Sequence, residues 1–189
     1  MVGAVPFGFS TLDLSGKFIM NKSLSDDPNE ILKLQGIGWI LRTAINLASV
    51  SVGIKHYKDD DGVENLIMDE YTTTGGLSTT TEHRKLSWKE TEHVDFVFGA
   101  TIVKSRRCKA EDIKEEYLTR GWTEETYEHG LIQAFVKSNT PKNGLVWTAN
   151  EAWGVEEIKG EKRYTRRVVF TGPKGQAINA RIVYDHTWQ

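Results

Sequence analysis

The sequence predicts an all-β fold with few short helices: an antiparallel up-and-down barrel of about nine or ten strands, with a helix-turn-helix lid after the first strand. Three observations carry that reading. A compact helical segment, Gly36-Ile-Gly-Trp-Ile-Leu-Arg-Thr-Ala-Ile-Asn-Leu-Ala48, stands near the start of a chain that otherwise alternates apolar and polar residues. Turn sequences at Asp59-Asp-Asp-Gly62, Asn143-Gly144, Gly160 and Gly172-Pro-Lys-Gly175 divide that alternation into short segments. No repeat, low-complexity run or composition shift splits the 189 residues, so the chain reads as one domain, 1–189, with a helical insertion near 105–130.

The elements follow in order. A first strand is expected near 16–23. Asp27-Pro28-Asn29-Glu30 then has the form of a helix start, with an acceptor side chain at the cap, proline at the first helical position and glutamate placed to bond back. Ile31, Leu32 and Leu34 would form its buried side. Gly36 and Gly38 supply the permissive backbone that lets one helix stop and another begin within three residues. In the second helix Ile37, Ile40, Leu41, Ala44, Ile45 and Ala48 fall on one stripe of a 3.6-residue period, leaving Arg42, Thr43 and Asn46 to water. Strands are expected near 49–58, 63–73, 77–88, 93–105, 131–139, 145–157, 162–171 and 177–186. Between Lys104 and Gly130 the alternation breaks. Ala110 to Arg120 suits a short helix with Ile113 and Tyr117 inward, an insertion expected to cover one end of the barrel.

Composition removes several functions. The formal charge is −2 and Arg42 is the one basic residue of the second helix, so the helix-turn-helix offers no cationic face to phosphates and no nucleic acid is expected. No apolar run approaches the ~20 residues of a membrane-spanning helix. The amino terminus lacks a basic leader, and the single Cys108 has no internal partner, which together favour a reducing, cytoplasmic location. The five histidines are scattered without zinc-ligand spacing, and neither a phosphate-cradling glycine loop nor a Gly-x-Ser-x-Gly turn is present. No metal and no cofactor is expected. Cys108 sits in Arg106-Arg-Cys-Lys109, where neighbouring cations favour the thiolate, though an ordinary loop thiol is the plainer reading. An exposed edge near the insertion leaves room for a homodimer.

A resemblance joins these elements. Gly16-Lys-Phe-Ile-Met20, the capped helix, Gly36-Ile-Gly-Trp39 with Arg42 three residues on, and Ala48 before a strand resemble the opening of the intracellular fatty-acid-binding proteins, within the calycin superfamily. The likeness covers about the first 55 residues and is architectural beyond Tyr57. It implies a strand, two short helices and a run of further strands around a small hydrophobic ligand. That family often holds a ligand carboxylate with an Arg-x-Tyr pair on the final strand. Here the chain reads Arg181-Ile-Val-Tyr184, a spacing that puts the two side chains on opposite faces unless a bulge intervenes.

Apolar alternation selects an inner face of Phe18, Met20, Val50, Val52, Ile54, His56, Phe96, Phe98, Trp147, Trp153, Tyr164, Val168, Phe170, Ile182 and Tyr184, with Ile37 and Leu41 contributed by the lid. Such a lining stacks on a flat or polycyclic ligand, or it packs on itself as an aromatic core. Arg166 lies two residues after Tyr164, and Glu151 lies between Trp147 and Trp153. Arg166 would grip a ligand carboxylate or enol while Tyr164 or Tyr184 donates a further bond; alternatively, Arg166 and Glu151 satisfy each other. Lys162, Arg163, Arg166 and Arg167 form a basic cluster able to attract phosphate, but alternation spreads them over both faces. If the chain is an enzyme, Glu151 and His56 are the candidate acid and base, with His83, His93 and Asp95 as further proton carriers. His93 and Asp95 share a face, and the opposite row of Val94, Phe96 and Phe98 is the one expected inward.

The partner expected is therefore a small hydrophobic molecule, lipid-like or polycyclic with an acidic or oxygenated group, bound inside the barrel. The alternative is a cofactor-independent isomerase, cyclase or dehydratase working on a hydrophobic secondary metabolite by acid/base catalysis in the same cavity. A filled barrel would serve neither.

Overall fold

The computed structural model describes residues 2–72 and 80–188. Its strands are β1 (Val2–Gly3), β2 (Gly16–Met20), β3 (Val50–Lys58), β4 (Glu64–Thr72), β5 (Thr80–Lys85), β6 (Thr91–Asp95), β7 (Gly99–Cys108), β8 (Leu131–Ser138), β9 (Thr148–Ile158), β10 (Glu161–Thr171) and β11 (Ala177–Thr187). They form one antiparallel sheet in the order β5-β4-β3-β2-β11-β10-β9-β8-β7-β6, with β1 added beside β11. From β2 to β5 and from β6 to β11 sequence neighbours are sheet neighbours, β2 closes against β11, and β5 and β6 form the two ends of the order. The sheet curls into a nearly closed barrel whose seam lies between β5 and β7. There the Trp88 N–H donates to the Ser105 carbonyl at 2.8 Å and Arg84 Nη1 reaches Ser105 Oγ at 3.4 Å. Positions 73 and 77–79 of the expected strands lie outside the described residues.

Directly opposed residues in an antiparallel ladder point to the same face. The pairs Phe18↔Val52, Ile54↔Met68, Ile132↔Trp153 and Tyr164↔Tyr184 therefore put one contiguous cluster inside. Phe18, Leu66, Ile132, Trp153 and Tyr164 are fully buried there. Each such side chain stabilises the fold by roughly 1.5–3 kcal/mol through burial.

The lid is α1 (Asn29–Leu34) and α2 (Trp39–Leu47). Asp27 Oδ1 accepts the Asn29 N–H at 2.9 Å at the start of α1. Glu30 turns along the helix to Lys33 at 3.3 Å and not back to the cap. Leu32 is buried, and Ile31 and Leu34 pack on the Trp147–Phe170 cluster. The stripe expected on α2 divides: Ala48 is buried and Ile45 faces the barrel interior, but Ile40 is exposed, as are Trp39 and Leu47. A helix laid over the mouth of a barrel meets the rim along one edge, so part of its apolar surface stays uncovered. Arg42, expected in water, ties the two helices together. Its Nη1 donates to the Ile37 carbonyl at 2.6 Å and its Nε to Asn29 Oδ1 at 3.1 Å.

Two further expectations are corrected. The segment 93–105 is not one strand but the hairpin β6–β7. Asp95 Oδ1 accepts the N–H groups of Val97 and Phe98 at 2.7 and 2.6 Å, and Gly99 adopts φ +68°, which a side chain disfavours. That turn reverses the chain, so alternation counted straight through it assigns β6 to the wrong face. The helical segment consists of a short 3₁₀ turn (Ala110–Asp112), α3 (Glu116–Thr119) and α4 (Glu124–His129), and it packs on the outer wall instead of covering an end. Ile113, Leu118 and Trp122 join Ala152 and Val169 in a cluster of their own. Thr123 N–H donates to the Val155 carbonyl at 2.9 Å and the Val155 N–H to Thr126 Oγ1 at 3.1 Å.

This docking depends on Gly154. A Cβ there would sit 2.7 Å from Thr126 Cγ2 and 2.8 Å from the Trp122 ring. Gly154→Ala is expected to lower the unfolding free energy by about 1–3 kcal/mol through overpacking, read from urea denaturation. A neutral result would show that α4 yields freely.

Candidate functional site

Between the lid and the buried cluster lies a cavity of about 290 Å³. Leu32, Gln35 and Ile45 roof it. Met20, Val50, Val136, Trp147, Ala149 and Ile182 supply apolar wall, and Glu70, Glu82, Arg84, His93, Asp95, Thr101, Glu151, Arg166 and Tyr184 supply polar wall.

The structure brings part of the expected set to this space. Met20, Phe98, Trp147, Glu151, Arg166 and Tyr184 line it. Phe18, Trp153 and Tyr164 lie in the packed cluster beneath it, so there the filled-core reading holds. Ile37 is buried in the turn before α2 and Leu41 is half-buried, and neither lines the cavity. Phe96 is corrected outright. It stands at the β6–β7 turn with 72% of its surface exposed, because the turn throws its row outward. His93 and Asp95 take the inward positions instead, with Nε2 and Oδ2 3.6 Å apart. His56 does follow the inner row of β3, but toward the other end of the barrel. Its Nδ1 accepts the Leu14 N–H at 3.2 Å, and burial lowers its pKa, so it stays a neutral acceptor that closes the floor. It does not line the cavity that Glu151 lines.

Arg166 organises the polar wall. Its Nε donates to Tyr164 Oη at 2.9 Å, and its guanidinium lies 4.3 Å from the centre of the Trp153 ring and 5.3 Å from that of Tyr184. Nη2 contacts Met68 Sδ at 3.6 Å and Nη1 lies 3.8 Å from Glu70 Oε1. The expected Arg166–Glu151 pairing is replaced by another arrangement: Glu151 Oε2 accepts Trp153 Nε1–H at 2.8 Å. Arg84 pairs with Glu82 at 3.0 Å. Desolvation inside the barrel, where Glu70 faces the cavity and not bulk water, pushes its carboxyl up, against the pull of Arg166 and with the help of Glu82. Burial likewise raises the Tyr164 and Tyr184 hydroxyls, so both remain protonated.

Glu70, Glu82 and Arg84 were not singled out by sequence reasoning, though a signal existed. Glu70 continues the row Leu66, Met68 on β4, and the ladder pairs Glu82 with Met68 and Arg84 with Leu66. Their inward direction follows from that register alone.

No protein-family model matches this chain. Among curated proteins it is 28% identical over 185 residues to "Probable pericyclase scpY" of Mollisia scopiformis, covering 97% of this chain and 94% of that one. It is also 28% identical over 170 residues to "Pericyclase pydY" of an Acremonium species, covering 88% of each. Among solved structures, the Schistosoma mansoni fatty acid binding protein in complex with arachidonic acid superposes with a TM-score of 0.55 at 12% identity, over 92% of this chain and 96% of that one. The Echinococcus granulosus fatty-acid-binding protein 1 gives 0.54 at 12% over 93% and 98%, and the fluorescent protein UnaG 0.54 at 11% over 93% and 97%. The fold is that of the fatty-acid-binding proteins and related calycins.

Within this barrel the final strand carries no inward Arg-x-Tyr pair. The β10–β11 register runs unbroken from Tyr164↔Tyr184 to Thr171↔Ala177, so Tyr184 points in and Arg181 points out, to Glu156 at 3.4 Å. Arg166, one strand away, occupies the inner wall beside Tyr184. The other members of the basic cluster are paired on the outside: Arg163 with Asp185 at 2.8 Å, Arg167 with Glu156 and Lys162 with Glu125, both at 2.5 Å. The thiolate favoured by the cations around Cys108 is overruled by burial, which pushes its pKa up to about 11. Among the described residues no group of three or more His, Cys, Asp or Glu is placed to hold a metal ion, and no helix is long and apolar enough to cross a membrane.

Proposed function

We propose that this barrel binds a small hydrophobic molecule with an oxygenated end and promotes a pericyclic rearrangement of its conjugated bonds. The observation that carries the reading is the cavity of about 290 Å³, walled by apolar residues and furnished with a compact group of polar ones. Similarity along nearly the whole chain to two proteins named as pericyclases supports the chemical half.

A pericyclic step moves electrons around a closed ring of orbitals, with no nucleophile, redox partner or proton carrier. It asks of a protein a shape that folds the substrate into its reactive conformer and donors that polarise a conjugated carbonyl. Cavity walls such as Trp147 and Ile182 serve the first need. Tyr184, a protonated hydroxyl on the wall beside the Arg166 cation, serves the second. The reading also agrees with the separation of His56 from Glu151, which leaves the expected acid/base pair unassembled. A second reading, a carrier that returns its ligand unchanged, is favoured by the helical lid and by likeness to the S. mansoni protein in complex with arachidonic acid. We also propose a reducing compartment such as the cytoplasm, a proposal supported by the single cysteine, Cys108.

Organic extraction of the native protein followed by mass spectrometry identifies the bound molecule, and its open-chain conjugated precursor is then offered to fresh protein. Conversion to a ring-closed isomer of equal mass is the expected result. Glu151→Gln should cost less than about tenfold in turnover, whereas an acid/base mechanism would lose about 10²–10⁴-fold. Recovery of the precursor unchanged establishes the carrier instead, and failure to bind any apolar molecule removes both readings.

A further inference from the structure

We infer that the cavity selects an uncharged molecule bearing an amide, lactam or hydroxyl group and turns away carboxylates. This rests on the proposed reading of the cavity as a binding site and names the class of ligand that it takes.

The polar wall has cations, but they face a ligand poorly. Only 10% of the Arg166 side chain and 9% of the Arg84 side chain are accessible, against 44% for Glu70. Arg166 is occupied by Tyr164 Oη and the Trp153 ring, and Arg84 by Glu82. A molecule in the cavity therefore has more of the Glu70 side chain open to it than of either arginine. The count agrees: Glu70, Glu82, Asp95 and Glu151 line the space against Arg84 and Arg166, with His93 beside Asp95. Residues 73–79 read Thr-Thr-Gly-Gly-Leu-Ser-Thr and carry no charge to alter it.

A ligand carboxylate placed here would lose its hydration and find both guanidiniums largely covered, while sharing the cavity with the more open Glu70. An amide or hydroxyl behaves differently. Its N–H or O–H donates to the Glu70 carboxylate in a charge-assisted bond. Should Glu70 hold its proton, the amide carbonyl accepts from it, so an amide or lactam is served in both states. This separates the barrel from the carboxylate-holding arrangement that the Arg-x-Tyr pair provides elsewhere in the fold.

Dodecanamide and dodecanoate share one apolar chain and differ at the end that matters, and quenching of Trp147 in the cavity wall reports their binding. At mildly alkaline pH, dodecanamide is expected to bind at least about tenfold more tightly than dodecanoate. Glu70→Gln should narrow that ratio to less than about threefold by removing the repulsion and releasing Arg166. Glu82→Gln, which releases Arg84, should shift the ratio the same way and serves if Glu70→Gln fails to fold. Equal or tighter binding of dodecanoate by the native protein overturns the inference while leaving the cavity reading intact. So does a ratio that neither variant moves. Failure of both probes to bind overturns the cavity reading as well.

Discussion

Arg166→Met is expected to lower the unfolding free energy by about 3 kcal/mol, and adding Tyr164→Phe to restore about 1–2 kcal/mol of that loss. Methionine refills most of its volume but cannot donate to Tyr164 Oη, and the tyrosine is wholly buried. A stranded buried hydroxyl costs about 1–3 kcal/mol. The guanidinium 4.3 Å above the Trp153 ring adds a desolvated cation–π contact of about 2 kcal/mol. Glu70, 3.8 Å away and open to the cavity, recovers by hydration or by keeping its proton, so it adds little to the cost. Urea denaturation of the two variants separates the contributions. If the double variant is as unstable as the single one, the Tyr164 hydroxyl is not the group that Arg166 satisfies.

Ala149→Trp should weaken ligand binding by roughly 100-fold with little change in stability. Ala149 lies on β9 in the cavity wall, between Val136 and Phe170 on the neighbouring strands. An indole adds nine heavy atoms, and at about 0.3 kcal/mol for each ligand atom displaced the loss is about 2.7 kcal/mol, or roughly 100-fold in affinity. Because the new ring enters open space, the overpacking cost of about 1–3 kcal/mol met in a dense core is not expected in full. Titration of the co-purified molecule, together with thermal melting, tests both halves. Unchanged affinity would show that the ligand sits elsewhere, and collapse of the fold would show that the cavity has no spare room.

Much of the barrel was legible because its signals are local. A period of two in strands such as Val50-x-Val52-x-Ile54, punctuated by turns, defines strand after strand, and short connections force neighbours in sequence to pair. The lid was legible from its proline start and its glycine pair. Arg166, Tyr184, Trp147 and Glu151 were found because their strands are uninterrupted and their rows hold an apolar majority. Phe96 was misplaced because the turn that precedes Gly99 contains no Asn-Gly or Asp-Gly signal. It is built by the Asp95 carboxylate bonding two backbone amides, which alternation does not register. Glu70, Glu82 and Arg84 were missed for the opposite reason: in rows with many polar members, hydrophobicity cannot say which side is in.

The position of the insertion depended on a glycine whose missing side chain admits Trp122. Nothing in the order of residues along the chain shows what will approach a bare backbone from outside. The sequence by itself determined the class of fold, the succession of strands and the helical lid, since each depends on contacts within a few residues or between adjacent strands. Only the tertiary structure decided which charges share the cavity, which partner each takes and where the helical segment rests, since these depend on side chains brought together by closure of the sheet, such as Arg166 and Glu70, 96 positions apart.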